Sequence, residues 1–114
     1  MTISEQDIVK ACEIVGVKPE TYYTDWKQLP NSIGESRYRT GQTRYPAGLD
    51  LLNRLEKGLD ADERVTHFYI ERRKKLNDWR TCIYLVNGKS VYMDKPDKLE
   101  SFVAAILEMG REQS

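Results

Sequence analysis

The chain has 114 residues, in which 18 lysines and arginines balance 18 aspartates and glutamates, so no net charge draws it toward nucleic acid or an anionic membrane. With 39% hydrophobic, 32% charged and 10% aromatic residues it has the make-up of a folded globular domain rather than a disordered one. It has no apolar run of the roughly 18 residues a membrane span needs and no basic-then-apolar leader, so the expectation is one cytoplasmic domain over residues 1–114, burying roughly two-thirds of its unfolded surface.

Thr2 followed by Glu5 has the form of a capping box, and Ile8, Ala11, Cys12 and Val15 then make a short apolar stripe that stops at Gly16. A second short helix is expected from Val17, with Pro19 in its first turn, so that residues 1–23 form a helical corner. A helix, a glycine and a second helix over residues 11–23 resemble the helix-turn-helix of some transposase and repressor families. That resemblance implies DNA contact through the early residues of the second helix, where this chain carries Glu20 and such families carry Arg, Asn or Gln.

Residues 24–45 lose helical periodicity. Pro30-Asn31, Gly34 and Gly41 are loop signals, whereas Tyr22, Tyr23, Trp26, Tyr38 and Tyr45 make the region aromatic, so it reads as an aromatic loop or as irregular strands. Arg37, Tyr38, Arg39, Arg44 and Tyr45 interleave arginine with tyrosine, a combination suited to protein hot spots and equally to phosphate contact with base stacking.

Helical spacing returns over residues 46–59, with Leu49, Leu52, Leu55 and Leu59 on one face and Gly58 and Asp60 marking the end. Residues 63–75 read as a strand and residues 75–78 as a turn. Residues 79–86 and 89–93 read as two strands of a hairpin closed by Asn87-Gly88, the dipeptide favoured in a type I′ turn. A two-residue loop would pair Tyr84 with Val91 and Cys82 with Met93, and these four are the expected core-facing set. Pro96 suits a first helical position, with Asp94 or Lys95 as cap. Leu99, Phe102, Val103, Ile106, Leu107 and Met109 then form a wide apolar stripe ending near Gly110. The expected fold class is α+β: a helical N-terminal corner, then an α-β-β-β-α core over residues 46–114, with a three-stranded antiparallel meander packed against the C-terminal helix.

This order, with the strand-turn-strand of Val86-Asn87-Gly88-Lys89, is similar to a double-stranded-RNA-binding domain, a resemblance that implies RNA binding. In that family a lysine cluster opens the last helix, whereas residues 96–101 here are mixed and slightly acidic. Catalytic signals are absent from the sequence. His67 is the only histidine, Cys12 and Cys82 read as isolated buried thiols, Asp60, Asp62 and Glu63 read as helix-end solvation, and no phosphate loop or nucleophile elbow occurs. No enzyme, metal or cofactor is therefore expected. Arg72, Arg73, Lys74 and Lys75 at a strand end, with Arg80 across the turn, form a local basic patch. The expectation is a non-enzymatic interaction protein of inhibitor or adaptor type, binding a protein partner through the Arg/Tyr segment and this patch. A nucleic-acid-binding module and a binder of a small anionic ligand are the alternatives.

Overall fold

The computed structural model describes residues 3–28 and 37–113, with the side chains of residues 22–28, 37–42, 112 and 113 outside that description. Thr2 lies outside it as well, and the cap of the first helix, α1 (Glu5–Val15), is Ser4, whose Oγ accepts from the Asp7 amide at 3.1 Å. Gly16 closes α1 in the left-handed region at φ 78°, its amide and that of Val17 reaching back to the last turn. Ala11, Cys12 and Val15 are buried as the stripe predicts.

Beyond Gly16 the expected second helix does not form. Residues Glu20–Gln28 are a strand, β1, paired antiparallel with β2 (Arg37–Arg44) across a bulge between Tyr23 and Asp25. This corrects both the second helix and the helix-turn-helix resemblance. The reason is local: Pro19 disfavours helical backbone at Lys18, and Thr21, Tyr22, Tyr23, Thr24 and Trp26 prefer a pleated strand. Of the segment expected as loop or irregular strands, residues 24–28 and 37–44 are strand, and the loop signals Pro30, Asn31 and Gly34 lie outside the described residues. Among the described elements the backbones of β1 and β2 pack closely only on each other, so the hairpin is an arm about 30 Å long at roughly 3.3 Å per residue, tied to the body at its root. The molecule as a whole, arm included, measures 65 × 32 × 20 Å. At the arm's root Arg54 forks onto Glu20, with Nη2 donating to Oε2 at 3.1 Å, and Thr21 and Thr43 hydroxyls meet at 3.0 Å.

The body is α-β-β-β-α: α2 (Gly48–Ala61), then β3 (Val65–Arg73), β4 (Asp78–Leu85) and β5 (Ser90–Lys95) in meander order, then α3 (Lys98–Gln113). Leu51, Leu52, Leu55 and Leu59 form the buried face of α2, whereas Leu49 is 72% exposed, because it falls to one side of the stripe those four leucines make. Gly58 does not end α2. A Cβ there would lie 2.7 Å from the Val15 carbonyl oxygen, so this glycine is where α1 crosses α2 closely. Gly110 likewise lies inside α3, against Ile14 of α1. The cap of α3 is Asp97 rather than Asp94 or Lys95: its Oδ2 accepts from the Glu100 amide at 3.1 Å, and Pro96 precedes it.

The β4–β5 turn is not type I′. Gly88 donates to Leu85 at 3.1 Å, Leu85 donates to Lys89 at 2.9 Å, and Gly88 alone takes positive φ, at 88°. That makes a three-residue loop ending in a left-handed glycine, and it slips the register by one, to Tyr84 with Ser90, Ile83 with Val91 and Thr81 with Met93. Val91 and Met93 face the core as expected. Cys82 and Tyr84 do not, and Thr81, Ile83 and Leu85 take that face instead. A bulge between Val65 and His67 puts Val65, Phe68 and Ile70 inward together. The core is closed by Phe102, Val103, Ala105, Ile106 and Met109 of α3, and the buried Thr81 and Ser101 hydroxyls share a 2.9 Å hydrogen bond between sheet and helix.

Candidate functional site

With α3 covering one face of the β3-β4-β5 sheet, the other face is open, and the strand register decides what stands on it. Tyr69, Cys82 and Tyr92 lie side by side across the three strands, with His67, Tyr84 and Ser90 in the next row and Glu71, Arg80 and Asp94 in the row on the other side. His67 stacks on Tyr84 with ring centroids 4.3 Å apart, and Tyr69 leans on Tyr84 at 6.2 Å. Hydrogen bonding to Cys82 and Tyr84 pushes the Tyr69 phenol up to about 12. Tyr69 and Tyr92 remain 40% and 60% exposed, large values for rings on a sheet.

The expected basic patch is built differently from its sequence. Arg73 forks onto Asp78 at 2.7 and 2.6 Å and reaches Asp94 at 3.3 Å; Arg80 forks onto Asp94 at 2.7 and 2.9 Å and lies 5.0 Å over the Tyr92 ring. These bidentate contacts hold both carboxyls below the usual carboxylate range and both guanidiniums above their ordinary value. Arg72 points to the other side of the sheet, where it donates to Asn77 and the Asp78 carbonyl and, with Lys98, covers the Trp79 ring. Of the five residues expected there, Lys74 and Lys75 stand exposed in the β3–β4 turn, while Arg72, Arg73 and Arg80 are engaged by neighbours.

The other expected group is elsewhere. Arg37, Tyr38 and Arg39 lie on β2, in register with Gln28, Lys27 and Trp26, and their side chains fall outside the described residues. Arg44 is exposed at the arm's root, and Tyr45 packs half-buried against the core; both line an open cleft against α1. The arm thus keeps the two groups apart instead of joining them in one patch.

The sequence pattern does not bring His67, Tyr69, Tyr84 and Tyr92 together as one surface, since it takes His67 alone and expects Tyr84 to face the core. The alternation of Tyr69 and His67 with Phe68 and Ile70 was the available signal, but the expected two-residue turn put Tyr84 on the buried face and hid the row.

No convergent chemistry stands beside this surface. Among the described residues no three His, Cys, Asp or Glu side chains meet as metal ligands, and Asp62 is occupied by Arg64, which also donates to the Ile14 carbonyl at 2.8 Å. Both cysteines are free and buried, and burial pushes the Cys12 thiol up to about 11, away from a reactive thiolate. The opening of α3 has Asp97 as cap, Glu100 buried and Lys98 against Trp79, so no lysine cluster stands there. No helix among the described residues is long and apolar enough to cross a membrane. Comparison with protein-family models, with curated proteins and with solved structures found no match.

Proposed function

We propose that this chain is a non-enzymatic interaction protein, of inhibitor or adaptor type, that binds a protein partner through the open face of the β3-β4-β5 sheet, with the β1–β2 arm as a separate second contact surface. The observation that carries this reading is the state of the arginines on that face. Arg73 and Arg80 are forked onto Asp78 and Asp94, so a phosphate would have to displace two fixed carboxylates, whereas a protein surface of mixed charge can pair with the outer lone pairs and N–H groups without breaking them. Tyr69 and Tyr92 supply the rigid amphipathic anchors typical of protein hot spots. The arm supports the same reading, because a two-stranded ribbon held to the body only at its root, by Arg54 on Glu20, is marginal in water along its length and gains from a partner surface.

The test pairs two variants with one column. Tyr69→Ser with Tyr92→Ser, and separately Arg37→Ala with Arg39→Ala and Arg44→Ala, should each weaken a co-purified protein partner by about tenfold or more with little change in thermal midpoint. Salt-sensitive retention on a polyanion column, together with bound nucleic acid in the purified protein, overturns the reading in favour of nucleic acid. A partner that binds both variants as tightly as the parent removes these surfaces from consideration.

A further inference from the structure

Glu100, in the first turn of α3, is only 6% exposed, and among the described residues its carboxylate makes no hydrogen bond or ion pair. Leaving a buried carboxylate without a partner is costly, and such groups ordinarily have one. Glu100 lines a cavity of about 160 Å³ together with Asp7 of α1 and Lys95 at the end of β5, and its remaining wall is apolar, from Ile3, Val103 and Leu107. Two carboxylates and one ammonium leave the cavity one positive charge short of neutrality, although Lys95 forms an ion pair with neither acid.

The volume narrows the class of ligand. It corresponds to about five liquid waters at roughly 30 Å³ each, room for a short alkyl stem carrying a compact cation and too little for a nucleotide. A divalent ion is a poorer match, since no three ligating side chains converge among the described residues and the wall is hydrocarbon. A lysine side chain fits both halves of the lining: methylenes against Ile3, Val103 and Leu107, ammonium between Asp7 and Glu100.

We propose that this cavity is a receptor for a lysine side chain presented by the protein partner. The proposal rests on the protein-binding reading above but concerns a different surface, and its test needs no partner. Nα-acetyl-lysine methylamide is titrated into the full chain and followed by amide chemical shifts. Saturable shifts are expected at Glu100 and its neighbours on α3 and at Asp7, with the norleucine analogue at least about tenfold weaker. Glu100→Gln should weaken the lysine probe by about tenfold, and Lys95→Met, which removes the competing ammonium, should tighten it. No saturable shift, equal binding of the norleucine analogue, or an unchanged affinity in a folded Glu100→Gln overturns the proposal. If Glu100→Gln does not fold, Lys95→Met decides: tighter binding supports the pocket, and equal or weaker binding overturns it. A negative titration leaves the open sheet face and its tyrosine variants standing, so the two readings fail separately.

Discussion

Two glycines inside helices offer a controlled comparison of backbone and side-chain contacts. At Gly58 of α2, an added Cβ would meet the Val15 carbonyl oxygen at 2.7 Å, Val15 Cγ2 at 2.9 Å and Val15 Cβ at 3.0 Å. The nearest atom is main chain in the last turn of α1, so relief requires the two helices to move apart. Overpacking of that kind costs ~1–3 kcal/mol. Alanine's helix preference over glycine returns ~1 kcal/mol, leaving Gly58→Ala destabilised by about 1 kcal/mol and at most about 2. At Gly110 of α3 the first contact is Ile14 Cδ1 at 2.6 Å, the free end of a side chain that rotates away, with Cγ1 at 3.3 Å. Gly110→Ala is therefore expected within about 0.5 kcal/mol of the parent, since the helix preference offsets the adjustment. Urea unfolding with a common slope measures both, and the Gly58 variant should also melt roughly 3–6 °C lower. If Gly58→Ala matches the parent, or Gly110→Ala is the weaker of the two, the close crossing of α1 on α2 is refuted.

Further outcomes follow from the turn and from the ion pairs. Gly88→Ala should cost about 1–2 kcal/mol in urea unfolding, because φ 88° is left-handed while the space around it is open, and Gly88→Asn should cost less; equal loss in both variants would point to some cause other than φ. Asp78 and Asp94 ionise more readily in the folded than in the unfolded chain, so their contribution is present above the unfolded carboxylate value near 3.8 and is lost as pH falls through their lower folded values. Asp94→Asn should accordingly lower the urea midpoint at pH 7 and flatten its further fall below pH 4. An acid limb as steep as the parent's would show that Asp94 does not couple to Arg80 and Arg73 as the distances require.

The outer face shows how far local pattern reaches. The tyrosines of β3, β4 and β5 are plain in the sequence, yet which of them meet water depends on whether the β4–β5 loop holds two residues or three. Asn87-Gly88 is compatible with both, and the difference is one left-handed residue at Gly88. The basic run 72–75 is equally plain, but Arg73 within it is held by Asp78 and by Asp94 of β5, and the Asp94 pairing is one that only the aligned strands create.

The sequence by itself determined the helices α1, α2 and α3 in outline, the meander between the last two, and most of the core, because those depend on periods of 3.6 and 2 that recur within a few residues. Tertiary structure decided the rest. Residues 20–23, within the segment expected as helix, already lean toward strand locally and are completed as part of β1 by pairing with β2, and Gly58 and Gly110 serve as crossing points instead of stops. A one-residue register slip also put Tyr84 and Cys82 on the face away from α3 and turned Thr81, Ile83 and Leu85 into the core. The helix crossings and the strand pairing rest on contacts between residues far apart in the chain, and the register on a choice of loop length that Asn87-Gly88 serves either way.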